Sequence, residues 1–197
     1  MLGISFLREI VQKEYIYHTG VVLRRLRKEV IKTLRQTGKP GEQKDGMDMS
    51  LISINNNTKK LQYSGAINSL YVVKSKQVKF NNPLIKEFKG ENKNSKYLYE
   101  IKADKMPISI YVNMAKFTIH EIQLEAGDII YMFSDGYADQ FGGKAGKKFM
   151  VKSFKKLLVE NAHKPMSEQK NILEDTFLKW KGTNEQIDDV TVVGIKI

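Results

Sequence analysis

The sequence predicts an α+β domain whose helices and strands fall into separate layers, and three features of the chain carry that prediction. Apolar residues recur at helical spacing at the start. A series of short β-type runs separated by turn residues follows, and helical spacing then returns before one last apolar run. This order differs from the repeating strand–helix–strand pattern of a doubly wound parallel sheet.

Leu2, Phe6, Leu7, Ile10 and Val11 share one helical face, and Leu23, Leu26, Val30 and Leu34 form a second after Thr19, whose hydroxyl suits an N-cap. Gly38 and Pro40 stand where this second helix should end. From Met47 the period shortens. Strands are expected over 47–54, 61–64, 70–73 and 77–80, with Asn55, Asn56 and Asn57 as a turn, and the polar stretch from Asn81 to Lys96 reads as a surface loop. Further strands are expected over 117–124 and 129–133, paired antiparallel through a turn at Ala126, Gly127 and Asp128. One later helix carries Phe154, Leu157 and Leu158, another carries Gln169, Leu173, Phe177 and Trp180, and a strand over 190–197 closes the chain.

At 197 residues, with 41% hydrophobic and 10% aromatic residues, the chain is expected to be a single domain with a buried core. Arg8 and Glu9 interrupt the first apolar stretch, and no apolar run reaches the roughly 18 residues of a membrane span, so a cytoplasmic protein is expected. There is no cysteine, which excludes disulfides, thiolate metal sites and a cysteine nucleophile. Any metal must be held by oxygen or histidine.

Lys and Arg number 33 against 22 acidic residues, a formal charge of +11 that suits nucleic acid, an anionic membrane or an acidic protein. The basic residues gather in three places: Arg24 to Lys39, Lys74 to Lys105, and Lys144 to Lys156. None is interleaved with aromatic residues as a base-stacking platform would be, which counts against nucleic acid.

Two places suit chemistry. Asp135 and Gly136 follow the apolar run Ile129 to Phe133, so a carboxylate emerges at the end of a buried strand. Asp188 and Asp189 stand just before the last strand in the same relation. Carboxylates fixed at two strand ends suit a hard divalent cation such as magnesium or manganese. Either feature alone also fits a solvated turn. The three histidines, His18, His120 and His163, lack paired ligand spacing and read as surface or boundary residues. The stretch from Phe141 to Lys148 lacks the first glycine and the final hydroxyl of a phosphate loop, and Ser134 has no nucleophile elbow around it and reads as a turn residue.

The block from Gly127 to Gly143, GDIIYMFSDGYADQFGG, resembles the bacterial metal-dependent serine/threonine protein phosphatases of the type 2C-like class, related to stage II sporulation protein E and RsbU. The ending Gln186 to Thr191, QIDDVT, is similar to the same family. So are Leu61 to Ala66, Lys102 to Ile108 and Gly41 to Asp48, so the resemblance covers nearly the whole chain.

The resemblance implies an αββα four-layer sandwich that holds two manganese or magnesium ions, whose shared water attacks a phosphoserine or phosphothreonine. It implies metal-ligand roles for Asp135 and Asp188 and a supporting one for Asp189. Gly136 is expected to allow a sharp turn after the ligand, Gly142 with Gly143 to serve a flap, and Asp139 to belong to the motif without an evident role. The implied substrate is a phosphorylated anti-anti-sigma type regulator in bacterial signalling.

The chain departs from the family in one large respect. The family's Asp-x-x-Gly-His-Gly motif lies just upstream of the first helix, but here Met1 already falls within that helix, and no residue before Glu9 is acidic. An N-terminally truncated domain is therefore expected, with open sheet edges that favour association, for instance as a homodimer. The alternative to a phosphatase is a non-catalytic module of the same fold that binds a regulatory partner. Smaller departures are Ile67, Ser69 and Ser109, where the family tends to have Asn, Pro and Gly.

Overall fold

A computed structural model describes residues 2–39, 45–91 and 96–197, with the Leu2 side chain left out. Pro40, the expected helix stop, and residues 41–44 of the family-like Gly41 to Asp48 segment lie outside the described residues, as do 92–95 of the expected surface loop. The chain forms two compact units, 1–69 with 102–124 and 70–101 with 125–197.

In the first unit, helices α1 (Leu2–Arg8) and α2 (Thr19–Thr33) cover a sheet of β1 (Met49–Ile54), β2 (Lys60–Ala66) and β6 (His120–Gln123), in the order β1-β2-β6. α1 runs on into one π turn, Glu9–Lys13, where the Glu14 amide donates to the Glu9 carbonyl five residues back at 3.1 Å. Ile10 in this turn is buried with Val22, Leu23, Leu26 and Val30 of α2, so the two apolar helical faces read from the sequence do meet in one core. Thr19 does not cap α2. His18 holds the cap position, and the Thr19 hydroxyl instead shares a buried hydrogen bond with Ser64 Oγ at 2.9 Å, tying the helix to β2. The Asn turn is present: Asn55 Oδ1 accepts from the amides of Asn57 and Thr58 at 3.0 and 2.9 Å, closing the β1–β2 hairpin.

The second unit is built on an antiparallel sheet in the order β10-β7-β3-β5-β4. Its strands are β3 (Leu70–Lys74), β4 (Ile85–Lys89), β5 (Tyr97–Ile101), β7 (Ile129–Phe133) and β10 (Val192–Lys196). α4 (Val151–Asn161) and α5 (Met166–Lys181) pack on it, α3 (Gly136–Asp139) follows β7, and β8 (Phe141–Gly142) pairs with β9 (Lys147–Lys148). The core of this unit is aromatic: Tyr71, Tyr131, Tyr137, Phe154 and Phe177 are buried together with Leu98, Ile129 and Leu158. Each unit is thus a helical layer on an antiparallel sheet, in keeping with the expected segregation of helices and strands.

Three expectations about the strands fail. β6 and β7 are not a hairpin: β6 pairs with β2 and β7 with β3 and β10, although the turn through Gly127, at φ 87°, is present. Residues 77–80 form no strand, because the Val78 amide donates to the Tyr99 hydroxyl at 2.7 Å rather than to a ladder. β4 lies inside what read as a loop. Its Ile85 and Phe88 are half-buried while Lys86, Glu87 and Lys89 are exposed, a charged composition that an edge strand tolerates.

Candidate active site

The acidic strand ends belong to the second unit, and the backbone around them is held on both sides. Ile129, Ile130 and Tyr131 of β7 are fully buried, which fixes the line along which the strand emerges at Ser134. Ser134 then couples the two ends. Its amide donates to the Thr191 carbonyl at 3.0 Å, its hydroxyl donates to the Asp189 carbonyl at 2.8 Å, and the same oxygen accepts from the Thr191 amide at 2.9 Å. Sequence reasoning passed over Ser134 as a turn residue. The signal available was its position at the end of β7, level with the start of β10.

Asp135 sits at the N-terminus of α3, and its carboxylate makes no hydrogen bond or ion pair among the described residues. The orientation of α3 comes from Tyr137. Its ring is buried 4.8 Å from Phe154, 5.2 Å from Phe177 and 5.3 Å from Phe149, and its hydroxyl donates to the Leu173 carbonyl at 2.7 Å. Burial pushes the ionisation of that hydroxyl far above the ordinary tyrosine range. Gly136 adjoins the second acidic end: a β-carbon there would lie 2.5 Å from the Asp189 carbonyl oxygen and 3.3 Å from the Asp188 β-carbon. The fold therefore brings Asp135 and Asp188 onto neighbouring backbone segments, and Gly136 is needed for close approach more than for an unusual turn.

Asp188 Oδ1 accepts from the following amide, that of Asp189, at 2.8 Å, and Gln186 Nε2 donates to the Asp188 carbonyl at 2.9 Å, so the acidic loop is ordered by its own side chains. Asp135, Asp188 and Asp189 are all exposed. Gln140, which sequence reasoning did not single out, is fully buried, and its Nε2 donates to the carbonyls of Phe141 and Glu185 at 2.9 and 2.8 Å. It ties the beginning of the acidic loop to the end of α3. Its Oε1 has no hydrogen-bond partner among the described residues.

Asp139 acquires a role: its carboxylate pairs with Lys148 Nζ of β9 at 2.9 Å and so anchors the β8–β9 hairpin beside α3. The expected flap glycines lie in this hairpin, and α5 ties them down. The Gly143 amide donates to the Trp180 carbonyl at 2.8 Å, a β-carbon at Gly142 would lie 1.9 Å from that same oxygen, and Trp180 Nε1 donates to the Gln140 carbonyl at 2.9 Å. A cleft of about 760 Å³ runs between α5 and β10. Met166, Leu173, Phe177 and Val192 are in its lining, as are Gln186 and Val190, which flank the two aspartates.

The donors fit a hard divalent cation in kind, being exposed carboxylates on ordered backbone, one of them without a competing partner. In number they make a partial set. Among the described residues, no group of three or more His, Cys, Asp or Glu side chains comes together. Of the histidines, His18 and His163 are exposed as expected, whereas His120 is buried, stacked 5.9 Å from the Tyr63 ring, and belongs to the first unit.

Solved structures share this fold. The PP2C domain of SiaA from Pseudomonas aeruginosa superposes with a TM-score of 0.78 at 20% identity, covering 100% of this chain and 68% of that one. The PP2C phosphatase domain of Bacillus subtilis SpoIIE, with a fragment of its regulatory domain, gives 0.63 at 16% identity, covering 98% of this chain and 49% of that one. A manganese-presoaked form of the Bacillus subtilis SpoIIE phosphatase domain gives 0.52 at 15% identity, with 99% and 73% covered. No curated protein matches the chain. The family model of stage II sporulation protein E, SpoIIE, matches residues 1–197 from end to end, and the chain belongs to that family of PP2C-type phosphatase domains.

Proposed function

We propose that the two units together form one protein serine/threonine phosphatase domain, and that Asp135 and Asp188 are the carboxylates it brings to manganese or magnesium. The observation that carries this reading is the approach of Gly136 to residues 188 and 189, which sets the two acidic strand ends side by side. A bound divalent cation supplies Lewis-acid chemistry, neutralising phosphoryl charge and making a water nucleophilic near neutral pH. The chain's own residues hold the geometry: Ser134 locks one strand end to the other, Tyr137 fixes α3 behind Asp135, Gln140 holds the acidic loop, and Asp189 supports Asp188 through its amide.

The substrate in this reading is a phosphorylated regulator of the anti-anti-sigma type in the cytoplasm, and the formal charge of +11 would favour its approach. A second reading keeps the fold and drops turnover. It is favoured by the partial ligand set, since no three His, Cys, Asp or Glu side chains come together among the described residues. In that case the chain binds a regulatory partner without hydrolysing it.

Phosphate release from a phosphoserine peptide, measured with and without manganese, separates the two. The phosphatase reading expects manganese-dependent release that falls by about 100-fold or more in both Asp135→Asn and Asp188→Asn, as befits loss of a group acting in the transition state. Folded protein that releases no phosphate at any manganese concentration would sink it in favour of the binding module.

A further inference from the structure

The basic segment from Arg24 to Lys39 has no part in the candidate active site, and in the first unit it lies beside an exposed apolar loop. Tyr111 is 43% exposed, Val112 86% and Met114 48%. Both ends of this loop are fastened to α2 and the residues after it. The Ile110 amide donates to Gln36 Oε1 at 2.9 Å, and Arg27 Nη2 donates to the Ala115 carbonyl at 2.7 Å. Arg27 is buried here, with its guanidinium 4.7 Å from the centre of the Phe117 ring and Nη1 3.2 Å from Met106 Sδ. The loop thus projects three apolar side chains from a rigid base.

Exposed cations neighbour that base in space or in sequence. Arg24 is close enough to Arg27 to help burial lower the latter's pKa. Lys105 and Lys116 are adjacent in sequence to Met106 and Ala115, the two residues Arg27 contacts, and Lys28 is one residue from Arg27 itself. Arg24, Lys28, Lys105 and Lys116 are exposed, and none forms an ion pair among the described residues.

We propose that this face docks on an anionic lipid bilayer, with Tyr111, Val112 and Met114 entering the interfacial region and the neighbouring cations meeting lipid phosphates. An exposed apolar tip with solvent-exposed cations near its base, three lysines and one arginine, matches a surface that is negative, fluid and apolar a few ångströms down. An acidic protein partner is disfavoured by the same features, because protein interfaces are depleted in lysine and bury their apolar anchors in the partner's pockets. No described helix is long and apolar enough to cross a membrane, so the attachment proposed is peripheral.

The test is co-sedimentation of the full chain with phosphatidylcholine vesicles carrying about one-third phosphatidylserine, with pure phosphatidylcholine vesicles and soluble polyglutamate as comparisons. Binding to the anionic vesicles should fall about tenfold in Val112→Asp, which sits on an exposed tip and leaves the core untouched, and by at least as much in Arg24→Glu/Lys28→Glu, with unchanged circular dichroism in each. Three outcomes overturn the proposal. They are no preference for anionic vesicles, anionic binding indifferent to Val112→Asp, which would reflect net charge alone, and polyglutamate binding with equal sensitivity to Val112→Asp, which would assign the face to an acidic protein.

Discussion

Gly136 stands so close to Asp189 that a β-carbon on the glycine would lie 2.5 Å from the aspartate's carbonyl oxygen. The obstacle is backbone, which no side-chain rotation relieves. Gly136→Ala must push the 188–189 segment away from α3, at a cost of roughly 1–3 kcal/mol typical of overpacking. Urea denaturation should show that loss of stability, and isothermal titration with manganese should show weaker binding. Wild-type stability together with wild-type manganese binding would contradict the close approach.

Ser134 couples the same two segments through its hydroxyl, so Ser134→Ala removes two solvent-exposed hydrogen bonds and leaves the Thr191 amide to water. About 1 kcal/mol of stability should be lost. Ser134→Thr keeps the hydroxyl and should recover most of it. If hydrogen exchange at the Thr191 amide is no faster in Ser134→Ala, the coupling is not as drawn.

The acidic strand ends were legible in the sequence because they are tied to apolar runs that define strands. The run Ile129 to Phe133 became β7 without change, and the helices carrying Phe154 and Phe177 formed as expected. What joins the ends was not legible. Ser134 and Gln140 act on carbonyls about fifty residues away, and nothing local marks such a partner. β4 was hidden for a different reason: its three charged residues are those of an edge strand, and they mask the weak apolar pattern of Ile85 and Phe88. His120 looked like a boundary residue because neighbours in sequence do not reveal the Tyr63 ring stacked on it.

That burial gives His120 a pH signature. Desolvation lowers its pKa from the ordinary value of 6.5, with the negative charge of Asp104 opposing in part. Below about pH 6.5 the unfolded chain therefore binds a proton that the folded chain resists, and stability falls as pH drops through that region. The slope cannot exceed about 1.4 kcal/mol per pH unit for one proton. Chemical denaturation from pH 5 to pH 8 should show the decline in the wild type and a flatter curve in His120→Phe. Identical slopes would mean that His120 titrates alike in both states.

Lys74 and Asp128 form a direct ion pair with both side chains only 4% exposed, and the same Asp128 oxygen accepts from the Glu125 amide at 2.8 Å. Asp128 thereby shapes the turn that feeds β7, the strand ending at Asp135. Removing Lys74 as Lys74→Met leaves a buried carboxylate facing an apolar chain, and breaking such a pair from one side costs about 3–5 kcal/mol. Asp128→Asn alone keeps an acceptor for the Glu125 amide but removes the carboxylate that pairs with the Lys74 ammonium. In the double variant neither charge remains, so the two losses should not add; a coupling of about 1–3 kcal/mol is expected from the cycle. Urea denaturation of all four proteins measures it. Strict additivity would mean that each residue acts through other partners and that the pair does not hold the entrance to β7.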